Sequence, residues 1–351
     1  MSVPLLQVND LKKHFPLRDF TALVRGRRRY VYAVDGVSFH IDKAETLALV
    51  GESGCGKSTV GRAVLRLFDI TAGQVVLDGK RIDDMPADRL RPLRRRMQVV
   101  FQDPFASLNP RMRVRDLLAE PIRNFGLAES SAELDARVVS LLDKVKLPRD
   151  AGKRWPHEFS GGQRQRIAIA RALAADPDLV ICDEAVSALD VSVKAQIVNL
   201  LRELQRDLGL ALLFISHDLA IVEHISHRVA IMYLGKIMEL GHKQQVFAAP
   251  KHPYTEALLS AVPVPRPGAA RGRIILKGDV PSPISPPRGC RFHARCRYAF
   301  NRCRTDEPEL RPTHDGHFAA CHLHDLRAEQ NPLANDSRII GPGLKGTAGI
   351  A

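Results

Sequence analysis

The chain has 351 residues, 45% of them hydrophobic, enough for one large domain or two with a sizeable core, which excludes wholesale disorder. Its 52 Lys+Arg against 39 Asp+Glu leave a net charge of +13, a balance that admits nucleic acid, an anionic membrane surface or phosphorylated ligands without choosing among them. The longest uncharged apolar runs, such as 208–215, fall far short of the roughly 20 residues a membrane-spanning helix needs, and the N-terminal MSVPLLQVNDLKKHF is charged where a secretory signal would be apolar.

In chain order, the first strong element is an apolar strand at 46–50 (TLALV), then a glycine-rich turn and a helix from Lys57 to about Phe68. The Arg-rich run RLRPLRRR at 89–96 reads as a solvated or membrane-facing patch. A strand is predicted at 97–101, helices at 114–124, 132–146 and 161–174, a strand at 179–183, a helix at 192–208 and a strand at 211–215. Strands that alternate with helices imply an α/β fold around a parallel sheet. The strand signal vanishes between about 105 and 175, which reads as an all-helical insertion. Seven prolines fall between Pro263 and Pro287, predicting an extended linker. Four of the six cysteines follow it, and a polar, then Gly-rich tail from about 327 is expected to be disordered.

The chemistry starts at Gly51–Ser58, GESGCGKS, a G-x-x-x-x-G-K-S pattern between a strand and a helix. Glycines let successive backbone N–H groups curl around phosphate oxygens, and the helix start adds its positive dipole end. Gly51, Glu52, Ser53, Gly54, Cys55, Gly56, Lys57, Ser58 and Thr59 are therefore the candidate ATP-binding residues. Lys57 is placed for the β/γ-phosphates and Ser58 for Mg²⁺. Cys55 reads as a small neutral spacer. At 179–184, LVICDE ends a strand in two acids; Asp183 is placed to hold Mg²⁺ and Glu184 to polarise the attacking water.

Further motifs fall in a fixed order: Gln102 in QDP, FSGGQ at 159–163 opening a helix, SALD at 187–190 and His217 after ALLFIS. Over roughly residues 3–262 the chain resembles the ATP-binding cassette (ABC) family. The resemblance implies an α/β P-loop ABC nucleotide-binding domain over 1–262 with a helical subdomain at about 105–175. It implies that Glu184, His217, Gln102 and Lys57 are catalytic, and that Gln102 joins Ser58 and Asp183 around Mg²⁺. Ser160, Gly161, Gly162 and Gln163 would meet ATP held by an opposite subunit, with Ser187 and Asp190 in the D-loop. Phe15, or else Tyr32, would stack on adenine. Phe159 stands where Leu is usual and Ala185 where Pro is common, and neither change removes a catalytic group.

Outside the catalytic motifs, VVFQDPFASLNPRM (99–112), HPYTEALLSAVP (252–263) and GCRFHARCRYAFNRC (289–303) resemble the oligopeptide/dipeptide transporter ATP-binding subunits. That implies an ATPase powering peptide uptake from the cytoplasmic face of the cell membrane. Its partners would be two integral permease subunits, docking at 104–113, a second ABC ATPase subunit (a heterodimer before a homodimer) and, indirectly, an extracytoplasmic peptide-binding protein. Nickel or another small solute is an alternative cargo. A non-transport ABC ATPase acting on nucleic acid or ribosomes is the alternative of another class, although no nucleic acid is expected as a partner. The C-terminal extension, 263–326, carries Cys290, Cys296, Cys303 and Cys321 at C-x5-C-x6-C-x17-C spacing. Relatives with this pattern imply a 4Fe–4S cluster; zinc or free thiols are the alternatives. His293, His314, His317 and His322 read as solvated loop residues, and Arg297 replaces a common proline.

Overall fold

The computed structural model describes residues 3–17, 28–262, 273–314 and 316–325. The tail from 327, residues 25–27 of the basic run RGRRRY (25–30) and linker residues 263–272 lie outside them. The strands are β1 (Leu6–Pro16), β2 (Tyr30–Ile41), β3 (Thr46–Val50), β4 (Ala72–Leu77), β5 (Lys80–Arg81), β6 (Met97–Val100), β7 (Leu179–Asp183), β8 (Ala211–Ser216), β9 (Arg228–Tyr233), β10 (Lys236–His242), β11 (Arg311–His314) and β12 (His317–Ala319).

Two sheets form. The larger runs β11-β12-β10-β9-β3-β8-β7-β6 and the smaller, antiparallel, runs β2-β1-β4-β5. Strands β6, β7, β8, β3 and β9 pair in parallel. The short runs TLALV, LVICD and ALLFIS are buried along their whole length, as parallel strands covered on both faces must be. Their residues alternate between two cores. Leu47, Leu49, Leu179, Ile181, Leu213 and Ile215 face the helix Lys57–Val64 and the antiparallel sheet. Ala48, Val50, Val180, Cys182, Leu212 and Phe214 face a second core built on the helices Val114–Asn124, Ser131–Lys144, Gly161–Leu173 and Val191–Leu208. From Pro104 to Leu173 the described elements are all helical.

Several expected boundaries move for local backbone reasons. The first helix ends at Val64 rather than near Phe68, and Arg66 takes φ +49, a left-handed turn that an α-helix cannot continue. The helix predicted over 132–146 covers Ser131–Lys144, and Lys146 takes φ +58. The antiparallel sheet escapes the sequence reading because β1 carries register shifts at Val8/Leu11 and Lys13/His14; each shift breaks the two-residue alternation. The run 89–96 is also tied down more than expected. Arg96 pairs with Asp178 and Asp78, Arg95 donates to the Ala175 carbonyl and Arg94 to the Arg66 carbonyl.

The C-terminal extension is not a loose appendage. Its β12 pairs antiparallel with β10, Glu239 opposite Ala319 and Leu240 opposite Phe318, so the extension continues the main sheet. Phe292 is 1% exposed and meets Tyr233 edge-on at 5.4 Å and Tyr254 at 5.3 Å. Burying such a ring contributes roughly 2–3 kcal/mol. The expected solvated histidines are corrected at two positions: His317 and His322 are buried. His317 Nε2 donates to Glu239 Oε1 at 2.7 Å, and the same carboxylate accepts from the Lys251 and His252 amides at 2.8 Å each. His322 lies between Asp325 and the Asp306 carbonyl. A buried charge is tolerable only with such a full set of donors.

Candidate nucleotide site

The loop Gly51–Ser58 leaves the end of β3 and enters the helix at Lys57. Its glycines are required by space. A Cβ on Gly51 would lie 2.1 Å from the Met232 carbonyl oxygen on β9, and one on Gly56 would lie 2.1 Å from that of Ala33 on β2. Gly54 and Gly56 take φ +78 and +104, where side chains are strained. Between them, Cys55 is 5% exposed, and burial pushes its thiol above the usual range, which keeps it a neutral spacer. Ser53 and Gly54 are exposed at the loop's tip. Lys57 is 4% exposed; its Nζ donates to the carbonyls of Gly51 (2.8 Å) and Glu52 (2.9 Å), which sets the ammonium inside the loop. Thr59 follows on the first helical turn.

The paired parallel strands β3, β8 and β7 bring the other candidates to the same sheet edge. Ser58 Oγ donates to Asp183 Oδ1 at 2.6 Å, and Arg62 Nε is 4.0 Å from Asp183 Oδ2. A hydroxyl and a buried carboxylate converging beside a phosphate loop suit a hard, oxygen-loving cation. Glu184 sits just past β7 at φ +50, and its amide donates to the Ile215 carbonyl on β8 at 3.0 Å. A non-glycine residue held there is strained by about 1–3 kcal/mol, and such strain gathers at functional sites. His217, beyond β8, places Nδ1 3.6 Å from Glu184 Oε1. Ser187 Oγ donates to the Glu184 carbonyl at 2.9 Å, so the D-loop turns directly off the acid; Asp190 immediately precedes the helix Val191–Leu208. Gln102 is exposed two residues past the end of β6. Phe15 is 36% exposed and edge-on to Phe68 at 5.6 Å, while Tyr32 lies on β2 beside His14, one residue from the Ala33 carbonyl that crowds Gly56.

The second glycine pair is built differently. Ser160 caps the helix Gly161–Leu173: its Oγ accepts from the Gln163 amide at 3.4 Å, and Gln163 Oε1 accepts from the Ser160 amide at 3.0 Å, a reciprocal capping box. A Cβ on Gly162 would lie 2.5 Å from Val193 Cγ1, so the loop packs against the helix that follows Asp190. Phe159, the variant first residue, is 3% exposed in the core and lies under the Arg154 guanidinium at 4.3 Å. It fills the place of an aliphatic side chain. The two helix starts fall on opposite faces of the sheet, Val60 with one core and Phe159 with the other.

No disulfide joins the four C-terminal cysteines. Burial pushes Cys290 up to about 12 and Cys296 to about 11 and raises Cys321 as well, and charge on Cys303 raises all three further. The fold therefore gathers them in one region. Among the described residues, however, no group of three or more His, Cys, Asp or Glu is arranged to hold a metal ion. The expected cluster, or zinc, finds no support in this geometry, and buried packing with strand addition holds the segment instead.

Sequence reasoning missed two side chains that reach the loop. The Glu52 amide donates to the Tyr254 hydroxyl at 3.1 Å. Arg295 Nη1 donates to both Glu52 carboxylate oxygens, at 3.1 and 2.9 Å, and lies 3.5 Å from the Tyr233 hydroxyl. Tyr254 and Arg295 stand inside the two C-terminal motifs, but nothing local marks residues so far along the chain as neighbours of Glu52.

Comparison with known proteins gives two regions of likeness. The ABC transporter profile matches residues 34–187, and that of the oligopeptide/dipeptide transporter C-terminal region matches 238–303. The chain is 52% identical over 92% of its length to the "Probable peptide ABC transporter ATP-binding protein" of Sinorhizobium fredii, covering 91% of that protein. It is 51% identical over 91% of its length to the oligopeptide transport ATP-binding protein AppF of Bacillus subtilis, covering 97%. Among solved structures, a dimeric post-hydrolysis ATP-binding cassette with ADP and Pi bound matches 68% of this chain and 98% of that one, at TM-score 0.59 and 26% identity.

Proposed function

Because the chain belongs to the family of ABC transporter ATP-binding proteins, we propose that it hydrolyses ATP to power the uptake of oligopeptides or dipeptides across the cytoplasmic membrane. The observation that carries the reading is one chain matching both the ABC transporter profile and the oligopeptide/dipeptide transporter C-terminal profile, with Ser58 beside Asp183 and His217 beside Glu184. Among the described residues no helix is long and apolar enough to cross a membrane, so passage of the peptide belongs to two permease subunits, with this chain at their cytoplasmic face.

Gly51–Thr59 wrap the phosphates and Lys57 carries the charge that meets them. Ser58, Asp183 and, from its exposed position, Gln102 would hold Mg²⁺, which screens the β- and γ-phosphate oxygens when bound. Glu184 orients and deprotonates the attacking water, and His217 beside it contacts the γ-phosphate. An aromatic, Phe15 or Tyr32, stacks on adenine. Ser160–Gln163 and the D-loop serve the nucleotide of a second cassette, which fits their placement on the opposite face from the chain's own phosphate loop. Val191, 84% exposed next to Asp190, is then covered by that partner, and a related but distinct cassette is the favoured one.

The permease contact falls on 104–113. Phe105 is 61% exposed there, beside a cleft of about 350 Å³ lined by Phe101, Leu108, Pro121 and Phe125. This segment is wired to the helix after Ser160: the Arg164 guanidinium lies 4.0 Å over Phe105, and Arg171 donates to the Ser107 carbonyl at 2.8 Å. A push on the segment moves the helix whose start faces the second nucleotide.

The test is purification from native membranes under anaerobic conditions, with partners identified by mass spectrometry. Two integral membrane proteins of permease type are expected. Nucleic acid or ribosomes in their place overturn the transport assignment. Iron and acid-labile sulfide assayed on the same sample decide the cysteine set: their presence would show that the thiols rearrange around a 4Fe–4S cluster.

A further inference from the structure

Arg295 sits at the end of the short turn His293–Arg295, directly before Cys296. Its side chain is 10% exposed and that of Glu52 26% exposed, so the pair is shielded from water. Glu52 is the second residue of the phosphate loop, and three of its groups are held. Its carboxylate is bound by Arg295, its amide by Tyr254 and its carbonyl by Lys57. The segment that delivers Arg295 is itself fixed: Arg291 pairs with Asp35 and donates to the Leu234 carbonyl at 3.2 Å, and Phe292 is enclosed by Tyr233 and Tyr254. A carboxylate in a loop that must receive a polyphosphate is electrostatically adverse unless a cation cancels it.

We propose that Arg295 is a positioning residue for ATP: by neutralising and fixing Glu52 it holds the phosphate loop in its binding form, and so makes the cysteine-bearing C-terminal segment part of the nucleotide site. This rests on the ATPase reading above. It gives the C-terminal region a task within the catalytic cycle, since displacement of the 290–296 turn would remove Arg295 from Glu52 and weaken ATP binding without touching a catalytic side chain.

The experiment compares MgATP binding and steady-state hydrolysis for the full chain, Arg295→Gln, Glu52→Gln and the double variant. Arg295→Gln is expected to weaken MgATP binding and raise KM about tenfold, with kcat within about twofold, the size expected of one uncompensated charge near the ligand. Glu52→Gln removes the offending charge, so in the Arg295→Gln background it recovers most of the affinity that Arg295→Gln alone loses, bringing the double variant to within about threefold of the Glu52→Gln single variant. A merely structural role for Arg295 leaves the double variant as weak as Arg295→Gln alone, and that result overturns the proposal, as does unchanged binding in Arg295→Gln. Arg295→Lys keeps the charge with less disturbance and covers the case in which Arg295→Gln does not fold. It should stay within about threefold, and a tenfold loss there also overturns the proposal. Absence of MgATP binding by the unsubstituted chain would instead strike the ATPase reading itself.

Discussion

The chain contains two glycine-bearing helix starts suited to anions, and they are held in opposite ways. The phosphate loop is fixed by partners remote in sequence: β2 at Ala33, β9 at Met232, Tyr254, and Arg295 of the C-terminal segment. The signature loop closes on itself within three residues, Ser160 with Gln163. The first is built into the core, with no room for a Cβ at Gly51 or Gly56, which suits the proposed role of gripping the chain's own nucleotide. The second is pre-formed locally, which suits the proposed role of meeting a nucleotide carried by another subunit.

Glu184→Gln gives the largest expected effect, because it removes the chemistry and leaves both loops standing. Turnover should fall by at least about 10²-fold while MgATP binding survives; wild-type turnover would sink the assignment of Glu184. Gly56→Ala breaks the remotely held loop. A Cβ at φ +104 and 2.1 Å from a carbonyl oxygen combines left-handed strain with overpacking, roughly 2–5 kcal/mol in all. Loss of nucleotide binding is expected, whereas Gly54→Ala, with nothing within 4 Å, meets the strain alone and should bind ATP measurably. Equal effects of the two in a titration would remove the packing argument.

A third prediction concerns the clasp behind the phosphate loop. Burial, with the charge of His324 adding to it, lowers His252 from 6.5 to about 3. The unfolded chain therefore takes up a proton that the folded chain refuses. Stability is full above about pH 6.5 and declines towards pH 3, by about 1.4 kcal/mol per unit from this one residue. His252→Asn keeps a helix-capping side chain beside the Tyr254 amide, so denaturant unfolding of that variant between pH 7 and 5 should show a visibly flatter decline. An unchanged slope would exclude His252 as the source. The smallest effect is expected at the self-closed loop. Ser160→Ala removes one cap, about 1 kcal/mol of stability, and should leave ATP affinity of the separated chain unaltered while turnover of the assembled complex drops. A fall in the separated chain's affinity would show that the signature acts on its own nucleotide.

Much of the site was legible because its chemistry is contiguous. GESGCGKS, LVICDE and FSGGQ each carry their spacing within a few residues, and the buried parallel strands announce themselves as unbroken apolar runs. The antiparallel sheet was not legible, since half-exposed strands with bulges lose their alternation. The histidines of the C-terminal segment were misread for a related reason. A His–Glu pair such as His317 with Glu239 looks polar in sequence until a buried partner is known.

By itself, then, the sequence determined the phosphate chemistry, the alternating α/β pattern and the transporter-type C-terminal motifs, all properties set by residue type at short spacing. Only the tertiary structure decided that β12 extends the main sheet and that Arg295 reaches Glu52. It also showed the four cysteines, all among the described residues, without a group of three arranged to hold a metal ion. Each of these depends on how segments far apart in the chain pack together, and packing distance is a quantity that no local pattern of residues encodes.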